Sequence, residues 1–232
     1  MSTLKPTRKV SRRHELREDT VVTFYARALD VIENQRNVVY GALGVIAFVV
    51  AFVLGIGWYS GVQNEKALSE MAFAVSRYEA GAYQAALDGD ITFTGLLDIA
   101  DSYGSTPSGN LARFYAADAL YRVGDLDRAL EYFREYDKAG DYLGASAYAG
   151  EAAILEARGE YSKAGDLYMR AASVYSSEIS SPQYLMDAAR AFEAAGENDQ
   201  ALRAYRTIES DYEEVAQARN VAFHIAQNTA SN

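Results

Sequence analysis

Gly124-Asp125-Leu126-Asp127-Arg128-Ala129-Leu130 decides the fold of this chain, because the same phrase returns three more times. It stands as Gly81-Ala82-Tyr83-x-x-Ala86-Leu87, as Gly159-Glu160-Tyr161-x-x-Ala164-Gly165 and as Gly196-Glu197-Asn198-x-x-Ala201-Leu202. Successive glycines are 43, 35 and 37 residues apart, and periods near about 34 residues mark helical-hairpin repeats. Glycine lets the backbone turn from a first helix, A, into a second, B. The alanine lets A and B pack closely. Four residues beyond that alanine the last three copies carry an aromatic, Phe133, Tyr168 and Tyr205, suited to fill the space toward the next repeat.

Outward from each phrase the flanks have helical periodicity and good helix formers. The pattern predicts A helices over 63–79, 110–122, 144–157 and 182–194, and B helices over 83–104, 126–138, 161–176 and 198–211. Pro107 and Pro182 fall at junctions, where a residue that interrupts helices belongs. The long first period contains Asp88-Gly89-Asp90-Ile91-Thr92-Phe93-Thr94, a turn-rich, β-branched insertion expected to kink or loop helix B of the first repeat. From Glu213 a last helix with Val215, Ala218, Val221, Ala222 and Ile225 at helical spacing is expected to cover the open end of the stack, as terminal repeats require.

Toward the N-terminus, Val38–Tyr59 reads VVYGALGVIAFVVAFVLGIGWY with no charged residue. As a helix rising about 1.5 Å per residue it crosses a hydrocarbon layer of about 30 Å, and Tyr40, Trp58 and Tyr59 sit where interfacial aromatics belong. Some 36 residues precede it, and the nearest Ala-x-Ala after it, Ala72-Phe73-Ala74, lies inside a helical pattern, so an uncleaved signal anchor is expected rather than a leader peptide. Residues 1–36 carry a net charge of +3 and the chain from Glu65 onward a net of −13. The positive-inside rule then keeps Lys5, Arg8, Lys9, Arg12, Arg13 and Arg17 cytoplasmic and exports the acidic remainder, which in a bacterium means the periplasmic side of the inner membrane. Within the tail, Val21, Val22, Tyr25, Ala28, Leu29 and Ile32 share a helix face, either an amphipathic helix against lipid head groups or a solvated lead-in to the span. Ala47, Ala51 and Gly55 recur every fourth residue, a face on which two spanning helices could self-associate.

The expected fold class is therefore all-α: a cytoplasmic basic tail over 1–36, one transmembrane helix over 37–61, and a hairpin superhelix over 62–228. Over roughly 65–228 the chain resembles tetratricopeptide-repeat proteins. In the order of tail, span and exported repeats, and in the phrases LLDIADSYGSTPSGNLARFYAADALYRVGDLDRALEYF (Leu96–Phe133) and HELREDTVVTF (His14–Phe24), it resembles the YfgM-like family. That resemblance implies an ancillary, chaperone-like subunit of the Sec translocon, with envelope or secreted proteins as partners and no catalytic residues. The first repeat departs from the pattern, with Asp90 in place of the aromatic.

Composition points away from catalysis. There is no cysteine and there are two histidines, which leaves no thiolate or multi-histidine metal site, and neither GxxxxGK[ST] nor GxGxxG occurs, so no cofactor is expected. Asp88-x-Asp90-x-Thr92 starts like a calcium loop, yet Phe93 and Ile99 stand where its glycine and bidentate glutamate would be. Ser173, Ser176 and Ser177 have no base at motif spacing, and His224 beside Phe223 and Ile225 is a packing or surface residue. An acidic body excludes nucleic acid held by its mean field. Glu131, Glu135, Glu151, Glu156 and Asp166 are assigned to solvated helix faces.

Binding surface remains. In hairpin superhelices the A helices line the concave side, and projecting the repeat frame places Met71, Tyr78, Phe114, Tyr121, Met186 and Arg190 there, either as partner contacts or as core of a tightly wound stack. The function expected is a membrane-anchored, non-enzymatic interaction scaffold of the bacterial envelope; the alternative is a permanent structural subunit of a membrane complex.

Overall fold

The structure is a computed structural model and describes residues 35–230. The tail helix face expected from Val21 to Ile32, and the basic residues ahead of it, lie outside the described residues. Among those described, one helix, α1 (Arg36–Glu79), is long and apolar enough to cross a membrane. By contacts the chain divides into two compact units that part at Tyr59 and Ser60. Ala47, Ala51 and Gly55 are exposed on α1, with open space where a side chain on Gly55 would point.

From Ser60 onward the chain is a stack of helical hairpins. The end of α1 is helix A of the first. Helices α4 (Pro107–Val123) and α5 (Leu126–Glu135), α6 (Tyr142–Ala157) and α7 (Tyr161–Val174), and α8 (Ser180–Ala195) and α9 (Asn198–Asp211) are the next three pairs. Local chemistry sets their ends. At Gly124, φ is +88°, a left-handed conformation that suits glycine, and there the Asp125 amide closes back on the Leu120 carbonyl at 2.9 Å. The other three phrase glycines share positive φ. Thr106 caps α4 by accepting from the Gly109 amide at 3.1 Å, with Pro107 in the first turn, and Asp141 caps α6 from the Gly144 amide at 2.8 Å.

The core is built from alanine. Ala129, Ala164 and Ala201 of the repeated phrase are fully buried, as are Ala116, Ala119, Ala188 and Ala191 on the A helices, and around them pack Leu87, Leu96, Ile99, Leu120, Ile154, Phe192, Tyr205 and Ile208. Small residues at the contact positions let the helix axes approach, and the larger side chains fill the spaces between neighbouring hairpins.

One expectation is made specific and one needs correction. The insertion expected to kink or loop helix B over 83–104 is an antiparallel hairpin, β1 (Gly89–Asp90) with β2 (Phe93–Thr94), which follows α2 (Tyr83–Asp88), and α3 (Leu96–Tyr103) resumes after Gly95. The Asp90 carboxylate accepts the Thr92 amide at 2.6 Å, a local turn bond that competes with helix. The strands close over so small a gap that a Cβ at Gly95 would lie 2.2 Å from the Leu87 carbonyl oxygen. The terminal cap is likewise two helices, α10 (Glu213–Ala218) and α11 (Val221–Ala230), divided at Asn220, whose φ is +53°. The break lets Val221 and Asn228 turn inward and become buried.

Candidate interaction surface on the A helices

The glycines supply a common frame for the four A helices. Three residues before them stand Tyr78, Tyr121, Glu156 and Glu193, and six before them Val75, Asp118, Ala153 and Arg190. At two junctions the first set bonds to the second set of the next repeat. Tyr78 donates its hydroxyl to Asp118 Oδ2. Arg190 forks onto Glu156, Nε and Nη2 each at 3.1 Å from a carboxylate oxygen. The same step between the second and third repeats sets Tyr121 opposite Ala153, which has no polar group to offer. A rung of side chains thus crosses two junctions of this face and is missing from the middle one.

Each rung is held from behind. Arg122, one turn along α4, reaches Asp118 Oδ2 at 2.5 Å, and its guanidinium lies 5.2 Å from the Tyr83 ring centre. Arg190 also donates to Asp187 at 2.7 Å. These carboxylates keep the Arg122 and Arg190 guanidinium groups protonated even more firmly than usual. Burial, reinforced by the bond to Asp118, pushes the Tyr78 phenol above its ordinary range. Two of the B-helix aromatics join the network: Tyr168 donates to Glu156 and Tyr205 to Glu193, both at 3.1 Å and both twelve residues back. Phe133, the third, has no hydroxyl, and the corresponding A-helix residue is Tyr121 rather than a glutamate.

The six residues expected on this surface separate. Met71 does not belong to it: it is 5% exposed, at the core positions of α1 with Ala67 and Ala74. Tyr78 is half-buried in its rung, with Tyr115 edge-on at 5.0 Å. Phe114 is half-buried among Tyr115, Phe133 and Tyr136, with ring centres 5.5–6.1 Å away. Met186 is half-buried against the core, and Arg190 is exposed but committed to two carboxylates. Tyr121 is 40% exposed, and its hydroxyl has no hydrogen-bond partner among the described residues.

Asp118, Glu156 and Ala153 are not among the residues that the repeat frame places on this face from sequence. The signal is present nonetheless, since counting back three and six from each repeated glycine finds all of them. The assignment of Glu151 and Glu156 to a solvated face is also corrected. Glu156 is half-buried in its rung, and Glu151 is 7% exposed, with Lys138 Nζ at 2.8 Å and Arg134 Nε at 3.7 Å. Lys138 also donates to the Phe133 carbonyl at the end of α5. His224 stacks on the Tyr205 ring at 5.0 Å, a packing role.

The stack is similar to two solved structures of a Podosopora anserina protein assigned as a kinesin light chain with nearly identical TPR-like repeats. The first shares 15% identity, covers 72% of this chain and 95% of that one, and has a TM-score of 0.49. The second, a single-substitution variant of the same protein, shares 15% identity over 72% of this chain and 94% of that one, with a TM-score of 0.50. At that identity the likeness is one of fold, and the fold is TPR-like. No family model matches the chain, and no curated protein does.

Proposed function

We propose that the chain is a membrane-anchored scaffold: α1 holds it in the inner membrane of a bacterium, and the hairpin stack stands on the periplasmic side and binds envelope or secreted proteins through its A-helix face. The observation that carries the binding function is the middle junction of that face, where Tyr121 is presented to solvent while the flanking rungs are closed by the chain's own side chains. Length and absence of charge over Val38–Tyr59 support the anchor, and the basic tail supports its direction. An ancillary role at the Sec translocon is the sharpest form of this reading and rests on resemblance to the YfgM-like family.

Protease added to intact spheroplasts should digest residues beyond about 65 and leave the tail protected. Protection of the acidic domain would reverse the topology. Crosslinking in mild detergent should then capture several exchangeable envelope proteins. A single partner at fixed stoichiometry would make the chain a permanent subunit of one complex instead.

A further inference from the structure

We propose that the segment this face takes from its partner is cationic, and that it seats at the junction of the second and third hairpins, with a lysine or arginine between Tyr121 and Asp118. This inference rests on the scaffold reading and adds the chemistry of the occupant.

Three features converge on it, two at this junction and one, Asp118, on the same helix α4 in the rung toward the first hairpin. The α6 side of the step offers only small side chains: Ala149, packed against the core, and Ala153 are half-buried, and neither reaches across as Asp118 and Arg190 do at the other junctions. One wall is Tyr121, 40% exposed, and the face of such a ring attracts a cation. One helical turn before Tyr121 stands Asp118, whose two bonds from Tyr78 and Arg122 both go to Oδ2. Among the described residues Oδ1 accepts nothing, and a carboxylate has room for about four donors. An aromatic face and an open carboxylate oxygen on adjacent turns of one helix suit a guanidinium or ammonium group and repel an anion.

The surroundings agree in sign. The network on this face holds Asp118, Glu156, Asp187 and Glu193 against Arg122 and Arg190, and the chain from Glu65 onward carries a net of −13. Such a field draws in basic segments and speeds their encounter. Apolar residues beside the cation would then cover Ala149 and Ala153.

The test uses the full chain in detergent and a fluorescein-labelled short peptide of alternating lysine and leucine, read by anisotropy beside its glutamate–leucine counterpart. The lysine peptide should bind and the glutamate peptide should not. Tyr121→Ala, and Ala153→Leu, which fills the α6 side of the step without touching a charge, should each weaken the lysine peptide by roughly threefold to tenfold with unchanged circular dichroism. Asp118→Asn should do the same and reduce the salt dependence. Asp166→Asn removes one negative charge from an exposed site on α7 and should leave binding unchanged. Equal weakening by Asp166→Asn would show a diffuse field and overturn the site, as would full binding by Tyr121→Ala and Ala153→Leu. If the unaltered chain still crosslinks to envelope proteins in either case, only the cationic-partner inference falls. If it captures no protein, the scaffold reading falls with it.

Discussion

Glu151 stands where the neighbouring repeats carry Ala116 and Ala188, and that single exchange puts a charge inside a core built on alanine. Its carboxylate is compensated by Lys138 at 2.8 Å and Arg134 at 3.7 Å, and Lys138 is further anchored by the Phe133 carbonyl. Removing one side of a buried pair strands the other, so Glu151→Ala should cost about 3 kcal/mol even though it restores the residue type of its neighbours. Glu151→Ala with Lys138→Met should recover most of that loss. Urea unfolding of both variants checks this, and an unchanged midpoint for the single change would mean that the pair contributes nothing. Helical periodicity could not reveal this contact. It places a glutamate on a face of its own helix, whereas the partner's position depends on how the preceding hairpin ends and stacks.

Between elements, the junctions share one size rule. In the repeat frame the residue after the repeated alanine on helix B is matched with the residue four before the glycine on the next helix A, a register in which Gly165 lies against Phe192. The pairs are Leu87 with Leu120, Leu130 with Leu155, and Gly165 with Phe192. The last is a volume exchange, for a Cβ built on Gly165 would lie 2.6 Å from the Phe192 ring. Gly165→Leu alone should overpack the junction and cost about 1–3 kcal/mol. Phe192→Leu alone leaves a void, and the double variant should melt above either single one, because it recreates the Leu–Leu pair of the other junctions. Double variants melting at the sum of the two losses would show that the residues do not share the space. The phrase that spelled out the repeats also contained this exception, since Gly165 is the only copy without leucine there. The β1–β2 hairpin and the break at Asn220 were less legible. Both depend on a local turn winning over helix, a competition that periodicity does not weigh.

At the scale of the whole hairpin stack, tyrosines tie helices together as neutral donors, and the three shifted furthest are Tyr78 on Asp118, Tyr168 on Glu156 and Tyr205 on Glu193. Burial first, and the acceptor carboxylates next, raise all three phenols above the ordinary 10.0. A group whose pKa is raised on folding holds its proton more tightly in the native state. Its contribution is complete below the unfolded value and is lost as pH climbs toward the folded one. Thermal melting should therefore not vary with pH through these residues near neutrality and should fall steeply above about pH 10. Tyr168→Phe with Tyr205→Phe should flatten that alkaline slope, and an identical slope in the double variant would show that the two phenols titrate alike in both states.

No two joints in this stack are spelled the same way. One is keyed by tyrosine on aspartate, one by tyrosine over alanine, and one by arginine on glutamate, with a phenylalanine admitted only where a glycine yields to it. A string of interchangeable hairpins could dock out of turn, or trade a unit with another copy of itself, at little loss. Here a hairpin skipped during folding would press Phe192 onto Leu130 and leave Glu156 without its arginine. The place of the third hairpin is thus proofread by side-chain fit, independently of the loops that connect the units.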